Sequence, residues 1–193
     1  MARIGTHAKV SEDAQVRDDA IVSGNADVGG CAVIEGNAWV SCYAAVGDKA
    51  RVGDSSLIQD RALVCDAAQV RDAACIGGDA VIGGNARVGG HASVYVDAYV
   101  GGDAVVGGYA DIGPGAYVTK SSHFLHFELD DGQLVTIYRT TIGARVQAGC
   151  QNFGFNLATP EFLRYLADEN GWSLPSYTLE LLEAVKGVVA TWH

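Results

Sequence analysis

The sequence predicts a mainly β chain that winds as a parallel β-helix and ends in a small α+β segment. From Ile4 to Val118 every sixth residue is Val or Ile, and this register never slips. The residue two positions before each of them is Ala, with Ser56 as the one exception. Residues two apart on a strand share a face, so short strands joined by tight turns can keep this period, whereas a helix of about 3.6 residues per turn cannot.

Each six-residue unit has the same internal division of roles. In the stretch "DAVIGGNARVGG", residues 79–90, the pairs Ala80 with Ile82 and Ala86 with Val88 are separated by glycines. The small Ala allows a tight turn close to the axis. The branched residue fills the coil and stacks on its copies in the coils above and below.

The units "VGGNAR", "VGGHAS" and "VGGDAV" follow the pattern (L/I/V)-G-x-x-A-x. In this respect residues 2–118 resemble the hexapeptide-repeat superfamily. The resemblance implies a left-handed parallel β-helix of triangular cross-section, with three hexapeptides in each coil. Residues 1–118 would then form the β-helix domain, with six to seven coils.

On such a prism, residues 18 apart stack in columns, so the outward residue before each Val or Ile defines three predicted faces. Face 1 carries Arg3, Ile21, Trp39, Leu57, Cys75, Ser93 and Asp111. Face 2 carries Lys9, Asp27, Ala45, Leu63, Val81, Tyr99 and Tyr117. Face 3 carries Gln15, Val33, Arg51, Gln69, Arg87 and Val105.

Faces 1 and 2 therefore present apolar stripes, and the corner between them adds Cys42, Tyr43 and Val96. A continuous apolar patch on the outside of a protein usually marks an interface. We expect self-association about this corner, and the resemblance implies a trimer. The alternative is that the C-terminal segment folds back over the stripe. The predicted interface residues are Ile21, Trp39, Tyr43, Leu57, Leu63, Val81, Tyr99 and Tyr117.

Residues 119–193 leave the six-residue register and predict an α+β capping or interaction domain. Alternating apolar residues around "DDG" indicate a hairpin, and a further strand should end near Cys150. Thr159 and Pro160 mark a helix start, and Gly171 marks its end. Such a segment would cover the open strand edges at the end of the prism.

A second predicted helix near the C-terminus is amphipathic. Its apolar stripe comprises Leu179, Leu182, Val185, Val189 and Trp192. The tail is similar to that of uncharacterised hexapeptide-repeat proteins of bacteria and their phages. Between Cys150 and the helix, however, this chain carries "GCQNFGFNL" where those proteins pass more directly into the helix.

Composition bears on partners and location. Thirteen Lys and Arg against 23 Asp and Glu give a formal net charge of −10, which disfavours binding to nucleic acid or to an anionic membrane. The sequence has neither a membrane-length apolar run nor the apolar core of a signal peptide, so a cytoplasmic protein is expected. Five cysteines without a C-x-x-C motif predict reduced thiols.

No metal site is predicted. Asp is common in the turns because its side chain can bond to nearby backbone. His123 and His126 are three residues apart, which on a strand would put them on opposite sides and make them a poor metal-binding pair.

The favoured function is a non-catalytic oligomeric binding or scaffold protein without a cofactor. A protein partner or an anionic ligand would be its target, and a phage-encoded inhibitor of a host protein is one form of this. Guanidinium groups suit phosphate and carboxylate, although they could instead pair with Glu35 and the turn aspartates. The candidate ligand-binding residues are Arg17, Arg51, Arg71 and Arg87.

The alternative is an acyltransferase of the kind found in the same superfamily, with a CoA thioester as substrate and a histidine general base between subunits. His91 would be the catalytic residue, because it occupies a turn between the arginine-bearing face and an apolar face. Such a site usually has a loop that projects from the prism to wall the cleft. No insertion interrupts the 20 repeats, which argues against catalysis.

Overall fold

The computed structural model describes residues 1–129, 132–171 and 178–192. Its first part is a parallel β-solenoid of twenty two-residue strands, β1 to β20 in chain order, which form three sheets. Face 1 contains Arg3–Ile4 (β1), Ile21–Val22 (β4), Trp39–Val40 (β7), Leu57–Ile58 (β10), Cys75–Ile76 (β13), Ser93–Val94 (β16) and Asp111–Ile112 (β19). Face 2 contains Lys9–Val10 (β2), Asp27–Val28 (β5), Ala45–Val46 (β8), Leu63–Val64 (β11), Val81–Ile82 (β14), Tyr99–Val100 (β17) and Tyr117–Val118 (β20). Face 3 contains Gln15–Val16 (β3), Val33–Ile34 (β6), Arg51–Val52 (β9), Gln69–Val70 (β12), Arg87–Val88 (β15) and Val105–Val106 (β18).

The predicted β-helical winding and its three faces are confirmed. Every paired strand aligns with the strand 18 residues away, as Leu57 does with Trp39 on one side and with Cys75 on the other. The sheets of seven, seven and six strands make six complete coils and two strands of a seventh. Backbone bonds link each coil to the next, for example from Leu57 N to the Ala74 carbonyl at 2.9 Å.

The interior of the solenoid is a stack of Ala, Val and Ile side chains. From Ala20 onward these inward residues are at most 3% exposed. Ser56 takes one Ala position, and its buried hydroxyl donates to the carbonyl of Gly53 at 2.7 Å. The hydroxyl is thus paired, so the exception in the Ala series leaves no unsatisfied polar group.

The turns between strands place one residue in the left-handed backbone region. Aspartate serves there as well as glycine, because its carboxylate accepts a backbone N–H from the same corner of the next coil. Asp72, with φ of 58°, accepts from Gly90 N at 2.7 Å, and Asp66 accepts in the same way from Gly84 N. Many of the chain's acidic residues therefore stabilise the turns.

After β20 the chain forms a 3₁₀ turn and a four-stranded antiparallel sheet. The elements are the turn Ser121–His123, then Phe124–Glu128 (β21), Leu134–Thr140 (β22), Gly143–Ala148 (β23) and Gln151–Gly154 (β24). The predicted hairpin is β21 with β22, and residues 130 and 131 of its "DDG" lie outside the described residues. The strand predicted to end near Cys150 is β23, which ends at Ala148.

Two helices follow a second 3₁₀ turn at Phe155–Leu157: Pro160–Asn170 (α1) and Thr178–Val189 (α2). Thr159 caps α1 by accepting from Phe162 N at 3.2 Å, and Gly171 ends it with φ of 67°, as the sequence predicts. No helix among the described residues is long and apolar enough to cross a membrane.

The antiparallel sheet and the helices share a second apolar core. From the predicted stripe on α2, Leu182, Val185 and Trp192 are buried and Val189 packs against them, while the side chain of Leu179 lies outside the described residues.

The antiparallel sheet closes the C-terminal end of the solenoid. β22 packs against β19 and β20, and Thr140 forms an antiparallel bridge with Ala116. Tyr138 is fully buried and belongs to the solenoid core rather than to the second one. The Tyr138 ring thus covers the end of the solenoid core, where a further coil would otherwise stack.

We expect the aspartates in left-handed turns to be replaceable by asparagine but not by alanine. Asp72→Ala removes the acceptor for Gly90 N and leaves left-handed backbone without the polar side chain that stabilises it there, which should cost about 1–3 kcal/mol of unfolding free energy. Asp72→Asn keeps both features and should stay close to the wild type. Denaturant unfolding of the two variants makes the comparison, and equal losses would refute this account of the turns.

Candidate functional site

The predicted interface stripe lies on the outside of the solenoid. Tyr43 is 67% exposed, Trp39 48% and Tyr117 39%, and the Trp39 indole N–H donates to Ser23 Oγ at 2.9 Å. Within the described chain, the C-terminal segment reaches the stripe at Tyr117, where the Arg139 guanidinium lies 5.5 Å from the ring centroid. The remaining predicted residues are half-buried between their neighbours in the columns: Ile21, Leu57, Leu63, Val81 and Tyr99.

The corner between faces 1 and 2 contains unusual backbone. Cys42 and Val96 have φ of 59° and 62°, whereas every other left-handed position in the solenoid is Gly or Asp. A β-branched residue in this region is strained, and such strain is often found at binding sites. Both residues are exposed; Cys42 precedes Tyr43 in the chain, and Val96 lies three coils further along the same corner.

Of the four candidate ligand-binding arginines, two form ion pairs and two do not. Glu35 lies between two of them: it accepts from Arg17 Nε at 2.9 Å and from Arg51 Nη2 at 2.9 Å. These bonds lower the pKa of the Glu35 carboxyl. Arg71 and Arg87 make no ion pair within the described residues.

His91 lies in a cleft of about 390 Å³ between the last coils and the antiparallel sheet. Its ring stacks on that of Tyr109, with the centroids 5.0 Å apart and the planes 6° from parallel. Asp111 and Ser93 line the same cleft from face 1, and Thr136 and Gln147 line it from the sheet. The acyltransferase alternative expects His91 at a cleft between subunits; this cleft is formed by one chain.

Asp111 is the residue in this cleft that sequence reasoning missed. It occupies an ordinary outward strand position, and nothing in the sequence shows that β22 packs over it. Its backbone N–H donates to Thr136 Oγ1 at 2.9 Å, while its carboxyl oxygen Oδ1 is buried without a hydrogen-bond partner among the described residues. Burial raises the pKa of the Asp111 carboxyl, and a hydrogen bond from Tyr95 opposes that rise.

A polar network extends from the cleft beneath the sheet. Asn152 Nδ2 donates to the Tyr138 hydroxyl at 2.7 Å and to Gln147 Oε1 at 2.6 Å. Gln147 in turn donates to the Gly149 carbonyl at 2.6 Å. The buried amide of Gln147 is therefore satisfied on both sides, unlike the Asp111 carboxyl.

A second cleft, of about 500 Å³, lies between Pro114, the β22–β23 turn and the segment after β24. Its charged lining residue is Arg145, whose Nε donates to Asn152 Oδ1 at 2.5 Å. The Arg145 guanidinium is thus engaged by Asn152 within the sheet and does not point to a particular ligand for this cleft.

Among the described residues, one group has the proximity of metal ligands: Asp48, Cys65 and Asp66, with one donor atom of each within 4.8 Å of the others. Burial and the two carboxylates raise the pKa of the Cys65 thiol, which disfavours the thiolate that a metal would require. Asp66 already accepts a backbone bond from Gly84 and Asp48 one from Asp66 N, so the group serves the turns.

The expected placement of the two neighbouring histidines on a strand is corrected. His126 lies on β21, but His123 ends the preceding 3₁₀ turn and is buried, because the chain bends there to leave the solenoid. His123 Nδ1 accepts from Thr119 N at 3.2 Å, and burial lowers the pKa of its imidazole.

Comparison with protein-family models, with curated proteins and with solved structures yields no match to this chain.

The pKa of Asp111 predicts a specific dependence of stability on pH. Because the folded-state pKa lies above that of the unfolded chain, the stabilisation is fully present below the unfolded value of about 3.9 and is lost as pH rises through the folded-state value. The melting temperature of Asp111→Asn minus that of the wild type should therefore increase as pH is raised from acid to neutral.

Thermal unfolding across a pH series measures this difference. Asp27→Asn is the matched control, since Asp27 is an exposed aspartate at the same outward strand position on face 2. It makes an identical change of charge outside the cleft. Parallel curves for the wild type and Asp111→Asn would contradict the prediction.

Proposed function

We propose that the protein is a non-catalytic homo-oligomeric scaffold that binds a macromolecular partner, and that its copies pack along the corner between faces 1 and 2. The observation that carries this proposal is the corner itself. Exposed Trp39, Tyr43 and Val96 lie there together with the strained turn residues Cys42 and Val96. Exposed apolar surface and backbone strain are both costly to an isolated chain, and burial in an interface would explain why they occur together.

A second copy of the same chain is the occupant best suited to this surface. The chain carries a formal net charge of −10, so two copies repel each other over most approaches. Between Ile21 and Ser93 on face 1, and between Ala45 and Tyr99 on face 2, the outward strand residues carry no charge. At the corner, Arg61 forms a bidentate pair with Asp79 at 2.7 and 2.9 Å, which neutralises both groups.

The regular solenoid supports parallel packing of whole copies. Its coils are equally spaced, so two solenoids side by side can match one another coil by coil along the stripe. The resemblance to hexapeptide-repeat proteins favours three copies around a common axis. The turns of residues 1–118 all have the same length, and no loop projects from them to wall a catalytic cleft between copies, which supports a scaffold rather than an acyltransferase.

Substitution within the stripe tests the assembly. The wild type should have the mass of three 20.1 kDa chains in light scattering, and Trp39→Lys should shift it to that of one chain. A lysine ammonium would have to be desolvated in the interface, whereas on a free surface it is tolerated.

Val105→Lys is the matched control, because Val105 occupies the equivalent strand position on face 3 and is 50% exposed against 48% for Trp39. It should leave the mass unchanged. A wild type that is monomeric, or the same response to both substitutions, would overturn the proposal that this corner is the interface.

Face 3 and its edge remain outside the proposed interface and offer arginines to an acidic partner. Arg71 and Arg87 keep their guanidinium groups free of ion pairs within the described chain, whereas Arg17 and Arg51 share Glu35. A partner with exposed carboxylates or phosphates would therefore bind through Arg71 and Arg87.

A fluorescent hexaglutamate peptide at low salt tests this surface by anisotropy. Arg71→Ala should weaken binding about threefold to fivefold, the effect of one exposed charge contact. Arg17→Ala removes the same charge from an arginine that Glu35 already engages, and should have a smaller effect. Equal effects would show that net charge rather than the free guanidinium determines binding, and no binding by the wild type would remove face 3 as an anionic surface.

A further inference from the structure

The cleft between the solenoid and the antiparallel sheet has features that the scaffold function does not use. It encloses about 390 Å³, within the range of small-molecule sites. One wall is the stacked pair His91 and Tyr109, and Asp111 adjoins them on face 1. The opposite wall is the antiparallel sheet, with Thr136 and Gln147.

Two polar side chains on the sheet side of this cleft are engaged by the protein. Thr136 Oγ1 accepts from the Asp111 backbone, and both ends of the Gln147 amide are bonded. Asp111 Oδ1 is excluded from water and has no partner within the described residues. A buried carboxyl oxygen without a donor is costly, and because Asp111 lines the cleft, an ammonium bound beside its carboxylate would offset part of that cost by charge attraction.

The charges of the residues that line the cleft determine whether a cationic or an anionic ligand fits. No Lys or Arg lines the cleft, so nothing among its described residues neutralises the Asp111 carboxylate. Among the residues that the structure describes, its ionisable side chains are Asp111, His91 and Tyr109. An anionic ligand would meet an uncompensated carboxylate, whereas a cation would form the missing ion pair.

The aromatic wall favours the same class of ligand. Tyr109 is 55% exposed and lies against the cleft, stacked on His91. Aromatic rings attract ammonium groups and also pack against alkyl chains. One end of the ligand can therefore meet a carboxylate while its stem lies along the rings.

We propose that this cleft binds an alkylammonium cation, with the ammonium donating to the Asp111 carboxylate and the alkyl stem packed against Tyr109. Two sources share this chemistry, a lysine side chain on a partner protein and a free aliphatic amine. The proposal is independent of the stripe and of face 3, so it can fail or hold without them.

The test is a titration followed by backbone amide chemical shifts, with n-butylammonium chloride as the probe and n-butanol as its uncharged analogue. The amine should shift the signals of Thr136, Gln147 and Tyr109 in a saturable way, and butanol should not. Asp111→Asn keeps the shape of the side chain and should weaken amine binding about tenfold or more, the effect of losing a charge-assisted bond. Asp27→Asn, the matched control on face 2, should leave binding unchanged.

Any of three results would overturn the proposal: saturable shifts outside the cleft only, equal binding by butanol, or equal affinity for the wild type and Asp111→Asn. Binding of methyl glucoside at the same residues without binding of the amine would also overturn it, because a neutral ligand would then be the occupant. The folded state of Asp111→Asn is checked by its melting curve.

Once the amine binds, two further probes distinguish the sources. Nα-acetyl-lysine methylamide presents a lysine side chain flanked by peptide groups, and spermidine presents several ammonium groups on a free chain. Tighter binding of the lysine probe than of spermidine would support a protein partner, and the reverse order would support a free polyamine. Failure of both probes to bind, with n-butylammonium bound, would overturn the lysine source and restrict the free amine to small monoamines.

Discussion

The stacking of each coil on the next is the constraint on which the rest of this structure depends. Backbone bonds join every strand to the strands 18 residues away, and the inward Ala, Val and Ile side chains pack on their own copies. A coil of different size would break both sets of contacts, so every coil must repeat the shape of its neighbours. The same constraint fixes the turns, where one residue adopts left-handed backbone and Asp72 or Asp66 bonds the coil above.

Since the interior is uniform, the differences that can serve function lie on the outside. Outward strand positions carry residues as different as Trp39, Arg51 and Asp111, because their side chains do not enter the stack. The turns are less permissive. Val96 and Cys42 depart from the Gly and Asp found at the other left-handed positions, and both lie at the corner that also carries exposed Tyr43. Local strain and apolar exposure thus coincide at a single corner of the solenoid.

The C-terminal end of the solenoid is where its regular stack of coils stops and residues of different chemical types come together. Tyr138 enters the solenoid core from the antiparallel sheet, and β22 lies across the last strands of faces 1 and 2. This closure covers the open strand edges. It also buries one oxygen of Asp111, which would otherwise be an ordinary surface carboxylate, and forms a cleft against His91 and Tyr109.

The sequence by itself determined the solenoid, its three faces, the outward columns and the limits of helix α1, because these follow from local spacing: a six-residue period, and the signals of Thr159, Pro160 and Gly171. It also identified Glu35 as a possible partner of the arginines. Only the tertiary structure decided that Glu35 engages Arg17 and Arg51, that Tyr138 belongs to the solenoid core, and that Thr136 and Gln147 face Asp111. Those contacts join residues that are far apart in the chain or that belong to segments without a repeat. Their burial and pairing depend on how the sheet docks on the last coil, and no local spacing encodes that.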